Sequence, residues 1–157
     1  MPDYEPVLGR ITAQTGTEFR PASDADLAAL RGLGVPDSVL SFFARHEPSG
    51  CAEGQSRLWP IEYVLRENRD LIPGAYVAPL GYVVFATTYC GDAYCFDVKT
   101  VGPDGEPRIV LISHAATAIR KGMTAADATR LAKPVAENLL DFLEKLVRFE
   151  LDEDCVY

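Results

Sequence analysis

The sequence predicts an α+β fold, an antiparallel sheet of about five or six strands with helices packed on it and a C-terminal amphipathic helix. Three observations predict it. Capped helical patterns fill residues 23–47. From Tyr76 to Ser113 the chain turns to short runs of Val, Ile, Tyr, Phe and Thr. After Pro134, apolar residues return at steps of three and four. The connections between the β-rich runs are too short for parallel crossovers, which need about a dozen residues.

The first helix is read in SDADLAALRGLG. Ser23 can cap it, Asp24 and Asp26 suit its positive end, and Gly32 and Gly34 mark its finish. Leu27, Leu30 and Leu33 form its apolar face. A second helix opens at Pro36, carries Val39, Leu40, Phe42 and Phe43 inward, and stops at Glu47 because Pro48 disfavours helix before it. His46 ends this helix, where an imidazolium suits the negative dipole end. The small polar stretch Pro48 to Ser56 reads as a surface loop and a candidate contact surface. A short strand through Leu58 and Trp59 follows. Pro60 then opens a helix with Ile61, Val64 and Leu65 facing inward, stopped by Pro73 and Gly74.

Four β-rich runs come next: YVAPL, YVVFATTY, AYCFDV and RIVLIS. Gly91 and Asp92 form a two-residue turn between the second and third. The Pro-Asp-Gly signal in GPDGEP returns the fourth beside the third, making a meander. Thr124 with Asp127 is a capping box that carries Asp in place of Glu, and Pro134 can open the final helix. Val135, Leu139, Phe142, Leu143, Leu146 and Val147 give that helix its broad apolar face. The helices cover one sheet face; water, helix cover or a partner remains for the other.

One domain spanning residues 1–157 fits the length, with Met1 to Gly9 and Asp152 to Tyr157 as the segments expected to fray. The N-terminus lacks a secretory signal and no apolar run approaches the roughly 18 residues of a membrane span, so a cytoplasmic protein is expected. In that setting Cys51, Cys90, Cys95 and Cys155 read as thiols. Fifteen basic against twenty-three acidic residues give a net charge of −8, the opposite of a nucleic-acid or anionic-membrane binder's footprint. A basic protein would be attracted.

The order of these signals resembles the SUKH superfamily, the fold of the fungal Smi/Knr-type cell-wall regulators and of many bacterial immunity proteins. The resemblance covers most of the chain and is carried by VPDSVLSFFARHEPSG, by the aromatic-proline step Trp59-Pro60 in LWPIEYVLREN, by GDAYCFDV and by ENLLDFLEKL. In GDAYCFDV, residues Gly91, Asp92, Tyr94 and Asp97, with Phe96 between, are similar to the family's Gly-Asp-x-Tyr-x-x-Asp hairpin. Glu47 to Gly50 replaces the family's Asn-Gly, and Cys90 stands where a second glycine is common. The resemblance implies a non-enzymatic binding module. Its expected role is an immunity protein that neutralises a cognate toxin domain, a basic nuclease for example, with an intracellular regulatory scaffold as the alternative. Self-association into a homo-oligomer is compatible with either.

For contacts to such a partner the candidates are the acidic residues Glu53, Asp92, Asp97, Asp104 and Glu106, of which Asp92 also has a sufficient role in its turn. Asp97, alternating with aromatics, is expected to point away from the face that Phe96 fills, towards a partner or towards solvent. Trp59, the single tryptophan, reads as core, with an interface anchor as the alternative. The acidic stretch Glu150, Asp152, Glu153 and Asp154 reads as a solvated tail, with a reach toward a basic partner as the alternative. Cys90, Cys95 and His114 supply only three ligands at loose spacing, no phosphate loop is present, and nothing orients a Cys/His nucleophile pair. No catalytic residue, metal or cofactor is expected.

Overall fold

The computed structural model describes residues 1–118 and 122–153. Helix α1 (Glu5–Thr15) comes first, then β1 (Phe19–Arg20), α2 (Asp24–Arg31), α3 (Asp37–His46), β2 (Glu47–Pro48), β3 (Ala52–Glu53), β4 (Arg57–Leu58) and α4 (Ile61–Arg69). The second half holds α5 (Gly74–Val77), a 3₁₀ turn (Ala78–Leu80), β5 (Tyr82–Thr87), β6 (Ala93–Val101), β7 (Pro107–Ile112), α6 (His114–Ala118), α7 (Ala125–Leu131), β8 (Lys133–Ala136) and α8 (Leu139–Val147). The fold is α+β. Strands β3 to β8 form one antiparallel sheet in chain order, and β1 pairs β2 separately.

Local chemistry sets several boundaries as expected. The Ser23 hydroxyl accepts from the Asp26 N–H at the start of α2, and Thr124 and Asp127 close a reciprocal capping box on α7. Pro36 and Pro60 stand at the N-caps of α3 and α4. The Pro-Asp-Gly turn is present, with the Gly102 N–H bonded to the Glu106 carbonyl at 2.8 Å.

Several expectations are corrected. Residues 1–9 do not fray from Tyr4 onward: Tyr4, Val7, Leu8 and Ile11 are buried, and the Gln14 side chain donates to the Val147 carbonyl at the end of α8. YVAPL is helical, forming α5 and the 3₁₀ turn, because a five-residue apolar run suits either period and Pro79 fits the first turn of a helix. Pro134 opens no helix. It lies in β8, an edge strand where a missing N–H is tolerated, and α8 starts after Asn138, whose side chain accepts from the Asp141 N–H at 2.8 Å. His114, which follows the RIVLIS run and reads as a strand end, instead begins α6. The His46 ring packs on Phe42 and Tyr4, and burial pushes its pKa down, so the neutral imidazole is favoured over a dipole-stabilised cation.

Both faces of the sheet are covered. On one, Val83, Phe85, Tyr94, Phe96 and Ile109 meet α1, α3, α4 and α8, with Phe85 stacked on Phe96 at 4.2 Å and set edge-on to Phe142. On the other, Tyr82, Val84, Cys95 and Val110 are sealed by Val77 of α5, by Ala128 of α7 and by Ala132 at its C-cap. Alternation along β5 and the first half of β6 thus feeds two cores, which explains why Tyr82 to Ala86 and Ala93 to Phe96 read apolar on every residue. The edges are blunted too. Lys145 donates to the Val135 carbonyl beside β8, and the Gln55 amide exchanges two hydrogen bonds with the Leu151 backbone beside β3.

No helix among the described residues is long and apolar enough to cross a membrane. Cys51 and Cys95 are free thiols, but Cys90 is disulfide-bonded, which corrects the reading of all four cysteines as thiols; pairing depends on proximity in space, which chain spacing does not encode.

Candidate partner-binding site

Strands β5 and β6 are joined by five residues, Thr88 to Asp92, in place of the expected two-residue turn. The Gly91 N–H bonds the Thr88 carbonyl at 3.1 Å, and the Thr88 hydroxyl accepts from the Asp92 N–H at 3.0 Å. Gly91 has φ 88°, a left-handed conformation that favours glycine. Asp92 then accepts the His114 N–H at 2.9 Å, tying the turn to the start of α6. A rigid end of the sheet results.

Beside it, the β3–β4 hairpin and α4 complete a concave surface. Pro60 and the Glu47 carboxylate, which accepts the Ile61 N–H at 3.0 Å, fix the start of α4. Glu47 is one of the residues standing where the resembled family has Asn-Gly, and here it caps a helix. The Trp59 indole donates to the Thr87 hydroxyl at 2.8 Å and lies 5.1 Å from the Tyr63 ring. It is partly buried, serving the core and lining the cleft together. The Arg57 guanidinium sits 4.6 Å over the Tyr89 ring, whose hydroxyl donates to the Gly54 carbonyl. Arg57 and Trp59 line a cleft of about 270 Å³ together with Glu67, Leu71, Thr88 and His114. Leu71 of its lining is 37% exposed, and the tyrosines packed on its Arg57 and Trp59 are exposed as well, Tyr89 at 46% and Tyr63 at 41%. Desolvation pushes the Glu67 carboxyl up, against the pull of Arg66 and His114.

The sequence candidates separate into two groups. Glu53 is exposed on β3, directly across from Arg57, and Asp92 holds the β5–β6 turn, so both belong to this end of the sheet. Asp104 and Glu106 lie at the far end of β6, in the turn to β7. Asp104 is exposed and accepts the Glu106 N–H. Two candidates are corrected. Asp97 does point away from Phe96, but towards neither partner nor solvent: it is 1% exposed and accepts from Arg108 at 2.9 Å. Glu106 is buried, with the hydroxyl of Tyr4, the N-cap residue of α1, against it. Neither carboxylate offers surface to a partner. The acidic tail is likewise anchored at Glu153, which accepts from the Tyr94 and Ser56 hydroxyls. Asp154 to Tyr157 lie outside the described residues.

Arg57, Tyr63, Glu67 and Tyr89 were not among the sequence candidates. The period-two spacing of Arg57 and Trp59 was the available signal; the meeting of Arg57 with Tyr89 depends on strand pairing and had none. No cluster of three or more His, Cys, Asp or Glu side chains among the described residues could hold a metal.

A family model described as the SMI1 / KNR4 family (SUKH-1) matches residues 21–145, which covers every element from α2 to most of α8 and leaves α1 outside. No curated protein matches the chain.

Proposed function

The chain belongs to the SMI1 / KNR4 family (SUKH-1), and from that premise we propose that it is a non-catalytic binding protein of the immunity type, one that neutralises a cognate toxin domain by docking on it. The observation that carries this reading is a cleft lined by Arg57 and Trp59, each backed by a tyrosine, Tyr89 against Arg57 and Tyr63 against Trp59. Arginine, tyrosine and tryptophan dominate the binding energy of interfaces, and here they are held by a hydrogen-bonded turn and a two-stranded hairpin instead of a mobile loop. The partner is basic overall. A net charge of −8 speeds encounter with such a domain and makes the rate sensitive to salt.

Affinity purification of the full tagged chain from its own cells, at low and high salt, tests the reading. One stoichiometric basic partner, held with nanomolar or tighter affinity at low salt, is the expected result. Many weak partners would favour a regulatory scaffold instead.

A further inference from the structure

Arg57 is the unusual cation of this surface. Its Nε is buried and meets no hydrogen-bond acceptor, and the side chain makes no ion pair among the described residues. Glu53 stands opposite it in the β3–β4 register, yet the guanidinium lies against the Tyr89 ring. A buried donor on a permanent charge is costly to leave without an acceptor. The planar face is already taken by Tyr89, so the unused hydrogen-bonding capacity lies at the guanidinium edge, the geometry that carboxylates satisfy in pairs of parallel bonds.

Resting on the reading above, we propose that the cleft beside Arg57 is a carboxylate-binding site that receives one Asp or Glu side chain of the protein partner. A volume of about 270 Å³ accommodates a single side chain. Trp59 and Leu71 supply apolar walls for its methylene stem, and Thr88 and His114 give polar edges for its head. The charge around the cleft selects a monoanion. Glu67 lines it, Glu53 stands across the strand pair from Arg57, and the chain as a whole carries −8, so a doubly charged phosphate meets more repulsion than a carboxylate does. A carboxylate on an otherwise basic partner fixes register: general attraction brings the two surfaces together, and one reversed pair decides how they sit.

The site can be probed without the partner. Trp59, the single tryptophan, lines the cleft and gives one indole N–H resonance. The ¹⁵N-labelled full chain is titrated with glutamate blocked at both ends, with blocked glutamine and with inorganic phosphate, at matched ionic strength. A saturable shift with blocked glutamate is expected, with glutamine and phosphate binding roughly tenfold or more weakly. Arg57→Gln, checked for native amide dispersion, is expected to lose the glutamate response. Absence of a saturable response in the wild-type chain, or equal responses to glutamate and glutamine, overturns the proposal. So does a phosphate response as tight as glutamate's, or an Arg57→Gln chain that responds like wild type. These outcomes are independent of the affinity purification, which can fail while the site binds glutamate, or succeed with a partner that Arg57→Gln binds undiminished.

Discussion

Asp97 and Arg108 face each other across β6 and β7, with the carboxylate shut from solvent and the Arg108 Nε 2.9 Å away. Asp97 also accepts the Lys99 N–H at 3.2 Å, so it holds the strand pair where β6 begins to diverge from β7. Removing one member of such a pair leaves the other desolvated and unmatched. Asp97→Ala is expected to lower unfolding free energy by about 2 kcal/mol, below the value for fully buried pairs because Arg108 is one-third exposed. Its affinity for the partner is expected to be that of wild type. Urea denaturation and binding measured on the same variant check both statements.

Asn68 does the work of a missing strand. Strand β4 ends at Leu58, leaving the outward N–H and C=O of Val84 in β5 without a ladder partner. The Asn68 side chain accepts the first and donates to the second, both at 2.8 Å, and its amide also reaches the Val64 carbonyl. Asn68→Ala is expected to cost about 3 kcal/mol, since two buried backbone groups lose their partners. The expected signature is a lower urea midpoint at an unchanged slope.

Acid should favour one end of the fold. Burial, with Asp104 nearby, pushes the Glu106 pKa above its ordinary 4.5. A raised folded-state value means that the native chain holds the proton more tightly than the unfolded chain. The resulting stability is full below the unfolded value and is lost as pH rises through the folded one. Glu106→Gln should therefore gain stability over wild type as pH climbs from 4.5 towards neutrality, measured as the difference in thermal midpoints. A constant difference across that range counts against it.

Thiol chemistry separates the two cysteines that are free among the described residues. Cys95 is fully buried in the sheet and desolvation pushes its thiol far up, whereas Cys51 is half-buried and raised less. Alkylation at mildly alkaline pH, mapped by peptide mass, is expected to label Cys51 in the native chain and Cys95 only after urea. Rapid native labelling of Cys95 would revive a nucleophilic role for it.

Where local chemistry decides structure, the sequence was readable. The Ser23 cap, the Thr124–Asp127 box, and Pro36 and Pro60 before their helices need only neighbours along the chain. Helix α1 was missed because its three buried positions Val7, Leu8 and Ile11 make a helix only against a partner surface, much of it supplied by α8. Asp97 and Glu106 looked like contacts because charge is usually solvated, and their partners Arg108 and Tyr4 come from other elements. The candidate cleft was half legible for the same reason: Trp59 and Pro60 announced one wall, and Arg57 on Tyr89 arises only when β3, β4 and β5 are assembled.

The most direct measurement is affinity purification with the wild-type chain and with Tyr89→Ala, side by side at low salt. Tyr89 is exposed and leaves the core intact, so a docking cleft here predicts one stoichiometric basic partner on the wild-type chain and at least tenfold weaker retention on the variant. Equal retention by both chains, or no stoichiometric partner on the wild-type chain, would contradict it.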